Sequence, residues 1–335
     1  MKTLYVDRKG IELGVESRTL TIRERGRLLR KLPLTLLERV IISAEVQLSC
    51  RLLTRLADDG VALAVLDVRR GGVAILTGKP GAEARRRLGQ YRLALDEAAK
   101  FAWAAHFVRA KTIRQARLLR AEAERRPNKK GPLTQKADEI QRFSDKLKRG
   151  ERMDLTALRG TEGAASAVYF SALGLLFPAG LGFHSRNRRP PRDPVNAVLS
   201  LSYTLLHHLA VQEICATGLD PFLGFLHEPA HGRESLACDL IEPLRPVADA
   251  VAIRLFRDRI LRAEHFSAAD GACLLGKAGR EAYYAESEES REQMRHRLRR
   301  VARVLAKSAS GEGGGAEDAA GDPEPEDRRD ADALH

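Results

Sequence analysis

The sequence predicts an α+β protein: a small N-terminal β-sheet domain followed by a larger all-α C-terminal domain. Three observations predict it. Short β-rich pieces separated by turn residues fill the first 77 positions. The turn-rich stretch TGKPGAE at 77–83 then breaks the pattern. Beyond it, apolar residues recur at helical spacing with arginines on the opposite face.

In order, the strands are expected at Thr3–Val6, Gly10–Val15, Thr19–Arg23, Arg39–Ile42, Val61–Leu66 and Val73–Leu76. Arg8-Lys9-Gly10 and Arg70-Gly71-Gly72 supply turns. One helix interrupts the series: Ser49 can cap CRLLTRLADDG, whose Leu52, Leu53 and Leu56 share a face, with Gly60 at the stop. The resulting boundaries are a β domain at 1–78, a linker at 79–84, a helical domain at 85–306 and a disordered tail at 307–335. Within the helical part, Ala84–Arg126 carries the apolar stripe, and further helices are expected at about 134–148, 161–177, 193–217, 235–261, 267–275 and 288–306. ERRPNKKGP and HSRNRRPPRDP are basic loops between them.

Composition narrows the function classes. The 335 residues suffice for two ordinary domains, and at 44% hydrophobic but only 5% aromatic the core should be Leu, Val, Ala and Ile. No apolar run reaches the roughly 18–20 residues of a membrane span, and MKTLYVDRKG has no apolar signal core, so a cytoplasmic protein without membrane association is expected. Cys50, Cys215, Cys238 and Cys273 form no CxxC pair, which disfavours zinc ribbons and thiol redox chemistry. From Ser308 onward nine acidic residues face two arginines, a net −7 against the chain's +12, so the body before it carries +19. Such a body favours polyanionic partners, nucleic acid first.

One segment concentrates the chemistry. GFLHEPAHGRESLACDLIEPLRP, from Gly224, places His227 in a Gly/Pro-rich loop, then Asp239 and Glu242 at i, i+3 on an expected helix. Pro243 removes the amide that would reach the Asp239 carbonyl, so a kink is expected there. The acids either pair with arginines such as Arg233 and Arg245 or hold a metal ion. Upstream, Glu162 is the one acid between Asp154 and Asp193, in the expected first turn of an otherwise apolar helix. It either serves the helix dipole or joins the same site. An imidazole with carboxylates suits Mg2+ or Mn2+ rather than structural zinc.

Several stretches in order resemble the family of CRISPR-associated protein one, the integrase subunit of the spacer-acquisition complex. They are TLYVDRKGIEL, LPLTLLERVIISAEVQLSCRLLTRLADDGVALAVLD, LRGTEGAASAVYF, RNRRPPRDPVNAVLSLSYTLL and GLDPFLGFLHEPAHGRESLACDLIEPLRPVAD. Together they span roughly residues 3 to 305. The resemblance implies that the helical domain is catalytic, with a metal site of Glu162, His227 and Glu242, and Asp239 behind it or on a second ion. It implies a Mg2+- or Mn2+-dependent DNA endonuclease and integrase that joins the 3′-hydroxyl ends of a captured double-stranded fragment to the CRISPR repeat. It further implies a homodimer formed through the β domain and CRISPR-associated protein two as partner. Arg186, Arg188, Arg189 and Arg192, clustered before the long helix, are the favoured phosphate contacts; Arg85–Arg87 and Lys129-Lys130 are weaker ones. Two other readings remain open: a metal-dependent nuclease acting on branched DNA in repair, and a DNA-binding module without chemistry.

Overall fold

The computed structural model describes residues 2–67, 72–76, 84–148, 153–187, 190–269, 271–312 and 316. The expected turn at Arg70-Gly71, linker residues 79–83, Arg188, Arg189 and most of the acidic tail lie outside the described residues. The chain divides into two compact units, one running to Ala82 and including Cys215–Gly218, the other holding the remainder.

In the first unit, β1 (Lys2–Val6), β5 (Leu37–Ile42), β7 (Ala62–Asp67) and β8 (Gly72–Leu76) form one four-stranded sheet in the order β1-β5-β7-β8. Its first three strands run parallel, and β8 is antiparallel to β7. The second sheet has the order β4-β3-β2-β6, with β2 at Ile11–Glu16, β3 at Thr19–Glu24, β4 at Arg27–Pro33 and β6 at Gln47–Leu48. Helix α1 (Cys50–Asp58) starts where Ser49 Oγ accepts the Leu52 amide, and it buries Leu52 and Leu56 fully. The core they join comprises residues such as Leu13, Leu20, Leu34, Val40 and Leu63.

β4 was not expected, because RLLRKLP neither alternates nor favours strand, and it lies almost wholly exposed. The turn before it dictates it. Arg25 (φ 49°) and Gly26 (φ 76°) both sit at positive φ, the two-residue geometry that folds a strand back on its neighbour.

The second unit is helical: α2 (Ala84–Leu95), α3 (Glu97–Glu124), α4 (Lys130–Lys148), α5 (Leu155–Leu173), α6 (Pro194–Ala216), α7 (Ser235–Ile241), α8 (Arg245–Arg257) and α9 (Lys277–Ser310). Asp96 and Asp154 cap α3 and α5, accepting the amides of Ala99 and Ala157. The cap at Asp154 corrects the expected start of α5. Glu162 stands past the helix's second turn, at the eighth position from Leu155, where the dipole reading of a first-turn acid does not apply. The chain does break at Pro243: α7 ends at Ile241, a 3-10 turn spans Glu242–Leu244, and α8 begins at Arg245. The helix expected at 267–275 is instead a hairpin of β9 (Phe266–Ala269) and β10 (Ala272–Leu275). Its amide at Cys273 reaches the Pro191 carbonyl at 2.7 Å.

α3 is the spine of this unit. Its buried positions include Trp103, Phe107, Val108, Lys111, Thr112, Gln115, Leu118, Leu119 and Glu122. Trp103 packs on Phe225, ring centroids 6.0 Å apart, so the core of α3 supports the segment just before His227. α2 meets α9 at very close range, since a Cβ on Gly89 would fall 1.7 Å from the Ala309 carbonyl oxygen.

Candidate functional site

The loop carrying His227 is built around one buried carboxylate. Asp239, fully buried on α7, accepts the amides of Phe225 (2.6 Å) and Leu226 (3.0 Å) on one oxygen. Its other oxygen takes the amide of His227 (3.0 Å) and meets His227 Nδ1 at 2.6 Å. A carboxylate can only accept, so Nδ1 donates, and in the neutral ring the lone pair is on Nε2. That is the arrangement by which a histidine ligand is oriented from behind. Gly224 permits it: any Cβ there would come 2.7 Å from Asp239 Oδ2 and 2.8 Å from the Ser235 carbonyl carbon.

The rest of the loop is fastened on both sides. Arg159 of α5 donates Nε to the Leu226 carbonyl at 2.7 Å. Ser235 Oγ donates to the Glu228 carbonyl at 3.0 Å. From α2, the buried Gln90 donates to the carbonyls of Asp220 (2.9 Å) and Leu223 (2.8 Å), while its oxygen accepts the Asp220 amide (2.8 Å). Arg159 lies one helical turn before Glu162, so the contact that holds the loop also ties it to the Glu162 helix.

Glu162 and Glu242 meet at a cation. Lys111 on α3 pairs with Glu162 Oε1 and lies 2.6 Å from Glu242 Oε2. Ser166 Oγ donates to the same Glu162 oxygen at 2.8 Å. Arg245 pairs with Glu242 Oε1 at 3.0 Å, and Arg114 reaches the Pro243 carbonyl at 3.2 Å, joining the break in the chain to α3. Burial would raise the Glu242 carboxyl, but Arg245, Lys111 and, more weakly, His227 offset this and hold it at about 2. Glu242 Oε2 is buried and has no aligned hydrogen bond.

Asp239 and Glu242 therefore share a helix but serve different partners: the first faces the His227 loop, the second faces Lys111 and Arg245. The salt-bridge reading holds for Glu242 with Arg245, yet its other oxygen points to the Glu162 side. Among the described residues, no group of three His, Cys, Asp or Glu surrounds a single point, and the Lys111 ammonium stands between the two carboxylates. The donor set nonetheless fits a hard divalent cation. Two carboxylates already converge on positive charge, one buried oxygen lacks a hydrogen bond, and Asp239, one turn before Glu242, orients an imidazole.

Behind the carboxylates lies a second buried network. The ring of Tyr203 (α6) is flanked by the guanidiniums of Arg245 at 4.7 Å and Arg186 at 5.3 Å. The hydroxyls of Tyr203 and Tyr169 donate to Asp249 at 2.5 and 2.8 Å. Burial pushes the Asp249 carboxyl up to about 6 despite those bonds. Arg186, an expected phosphate contact, is engaged inwardly as well, with Asn196 (2.7 Å) and Ser200 (3.0 Å). Arg192 is exposed. Lys129 donates to the Leu175 carbonyl and Lys130 to Glu124. All four cysteines are free, and burial raises the Cys238 thiol, which makes it a poor metal ligand.

A strand-rich unit followed by a larger helical one is an architecture that solved structures also show. A Cas1 protein from Thermotoga maritima shares it with a TM-score of 0.81 at 22% identity, over 94% of this chain and 99% of that one. A casposase bound to integration product does so at 0.78 and 21%, over 99% of both chains. So does a chain of a Cas6-RT-Cas1–Cas2 complex at 0.78 and 20%, over 93% of this chain and 35% of that one. At such identities these likenesses concern the fold. The sequence itself goes further: residues 4–289 match the family described as CRISPR associated protein Cas1. The CRISPR-associated endonuclease Cas1 1 of Thermodesulfovibrio yellowstonii is 35% identical over 299 residues, covering 88% of this chain and 93% of that protein. The chain belongs to the Cas1 family.

Proposed function

We propose that this chain is a divalent-metal-dependent DNA endonuclease and integrase of CRISPR adaptation. The observation that carries the reading is the convergence of Glu162 and Glu242, from separate helical segments, on one buried cation, with the His227 imidazole oriented by Asp239 one turn before Glu242. Glu162, Glu242 and His227 Nε2 would hold Mg2+ or Mn2+. The ion would supply charge for a phosphodiester gaining negative oxygen and would make the attacking hydroxyl more acidic.

The chain's own groups do the rest. Asp239 fixes the His227 tautomer and ring direction. Arg245, held against Tyr203, keeps Glu242 ionised and in place. Arg192, with the unpaired positive charge of the body, would lie along phosphates. In the joining step the 3′-oxygen of the captured fragment forms a bond to a repeat phosphorus while the bond to the displaced 3′-oxygen breaks. The proton passes from the attacking to the departing oxygen, and the number of phosphodiester bonds is unchanged.

The names of similar proteins support the reading: an endonuclease, a casposase bound to integration product, and a chain in a complex with Cas2. Cas2, double-stranded DNA and a second copy of this chain are accordingly the proposed partners. The exposed Leu28 and Leu29 on β4 support pairing through the β domain. Among the described residues no helix is long and apolar enough to cross a membrane.

The test is strand transfer on a supercoiled plasmid carrying a repeat, with Mg2+ or Mn2+. Joined products from the wild type, lost in E162Q, H227A and E242Q with DNA binding retained, are expected. Cuts without joining would favour a nuclease for branched DNA. Neither product would leave a binding module.

A further inference from the structure

We propose that Lys111 is the built-in counter-cation of the site, occupying the position of the divalent ion until a phosphodiester draws it away. The inference rests on the metal reading above and concerns how the site is kept before the ion arrives.

Lys111 lies in the middle of α3 with its side chain 7% exposed, a setting lysine rarely takes without a compensating anion. It has two, contributed by α5 and by the 242–244 turn. Lys111 and Arg245 balance Glu162 and Glu242, and Asp239 adds one further negative charge, its oxygens bonded by three amides and the His227 ring. Adding a divalent ion to this set would leave a net excess of one positive charge in a buried place, an unfavourable state at low dielectric. Either the ammonium withdraws or an anion comes in with the ion.

The two cations are not equally free to move. Arg245 is clamped by the Tyr203 ring and by Glu242 Oε1, one helical turn away. Lys111 sits on a flexible four-carbon stem, and its contact with Glu242 Oε2 is close but unaligned. Glu162 does not need Lys111 to keep its orientation, because Ser166 holds the same oxygen. An ammonium released from two carboxylates in such surroundings requires another anion. The one a DNA-joining site brings is the phosphodiester itself, so arrival of DNA and binding of the ion become coupled through this side chain.

The experiment measures Mn2+ binding to the full chain without DNA, by electron paramagnetic resonance and calorimetry, in wild type, K111M, K111Q and K111M/E162Q. K111M and K111Q should bind Mn2+ about tenfold tighter or more, since a competing positive charge is gone. Their thermal midpoints should fall in EDTA and recover with Mn2+ by more than the wild type gains. Affinity equal to or weaker than wild type in both Lys111 variants would overturn the proposal. So would variants that stay unfolded when Mn2+ is supplied, because the ion would then not replace the ammonium. If K111M and the double variant K111M/E162Q bind Mn2+ alike, the metal reading itself fails, which is a separate result.

Discussion

Asp239→Asn is the sharpest probe of how the His227 loop is held. The wild-type carboxylate accepts four hydrogen bonds, two on each oxygen, from Phe225, Leu226 and His227 amides and from His227 Nδ1. An asparagine has the same shape but turns one oxygen into an NH2 group. Turned one way, the NH2 faces the buried amides of Phe225 and Leu226; turned the other, it faces the His227 amide, and Nδ1 can accept from it only by giving up the tautomer the carboxylate imposes. A buried donor left unsatisfied costs about 1–3 kcal/mol, and bonds to a charged acceptor are at the strong end. The loss therefore comes to about 2–5 kcal/mol. Trp103, the chain's one tryptophan, packs on Phe225, so its fluorescence reports on this loop directly. Urea unfolding followed at that signal should show the deficit. If the variant remains folded at low urea, Mn2+-dependent joining should fall with it, because the imidazole loses the acceptor that fixes its tautomer. Unfolding within about 1 kcal/mol of wild type, together with unchanged joining, would refute the claim that Asp239 organises the site.

Two further outcomes follow from the packing and charge of the helical unit. Asp249 has a folded-state carboxyl raised to about 6 from 3.8, so its stabilising contribution is full below about pH 3.8 and is lost as pH rises through about 6, a change of roughly 3 kcal/mol. In D249N that loss disappears, so its stability relative to wild type should improve between pH 4 and pH 7; an unchanged difference at the two pH values would count against a buried ionised Asp249. G89A would place a methyl 1.7 Å from the Ala309 carbonyl oxygen. With backbone on the far side, α2 and α9 must separate, at a cost of about 3 kcal/mol or more, and an unaltered melting midpoint would show that the two helices do not meet there.

The fold was legible where local rules and tertiary packing agree. Ser49, Leu52, Leu56 and Gly60 marked α1 because a cap, a stripe and a stop coincide. Pro243 marked the break between α7 and α8 because a missing amide has the same effect in any context. The misses fall where a turn overrides the residues beside it. RLLRKLP forms β4 only because Arg25-Gly26 returns it onto β3. Gly271, at positive φ, belongs to a turn that outweighs the helical look of SAA and ACLL. Gly160-Thr161 reads as a helix beginning, but Asp154 already supplies the cap, so Glu162 lies about one and a half turns deeper than its local sequence suggests.

The site shows the same division. His227, Asp239 and Glu242 stand out in a row because polar groups beside apolar ones need an explanation, but the row does not say that Asp239 turns toward the loop amides while Glu242 turns away. Lys111 was overlooked, although a signal existed. Along α3 the buried stripe runs through Ala104, Phe107, Val108, Lys111, Thr112, Gln115, Leu118, Leu119 and Glu122 at spacings of three and four. A lysine and a glutamate on that stripe are as informative as an acid on an apolar helix, since each demands a buried partner of opposite charge. Glu122 finds Arg125 and Arg126 just past the end of its own helix, with Arg257 of α8 farther off at 4.0 Å, so its nearest partners are local. Lys111 has no acid within reach along α3, so its partners had to come from elsewhere in the chain. A buried charge whose neutralising group is absent from its own helix points across the fold, and here it points at the two carboxylates on which the proposed chemistry depends.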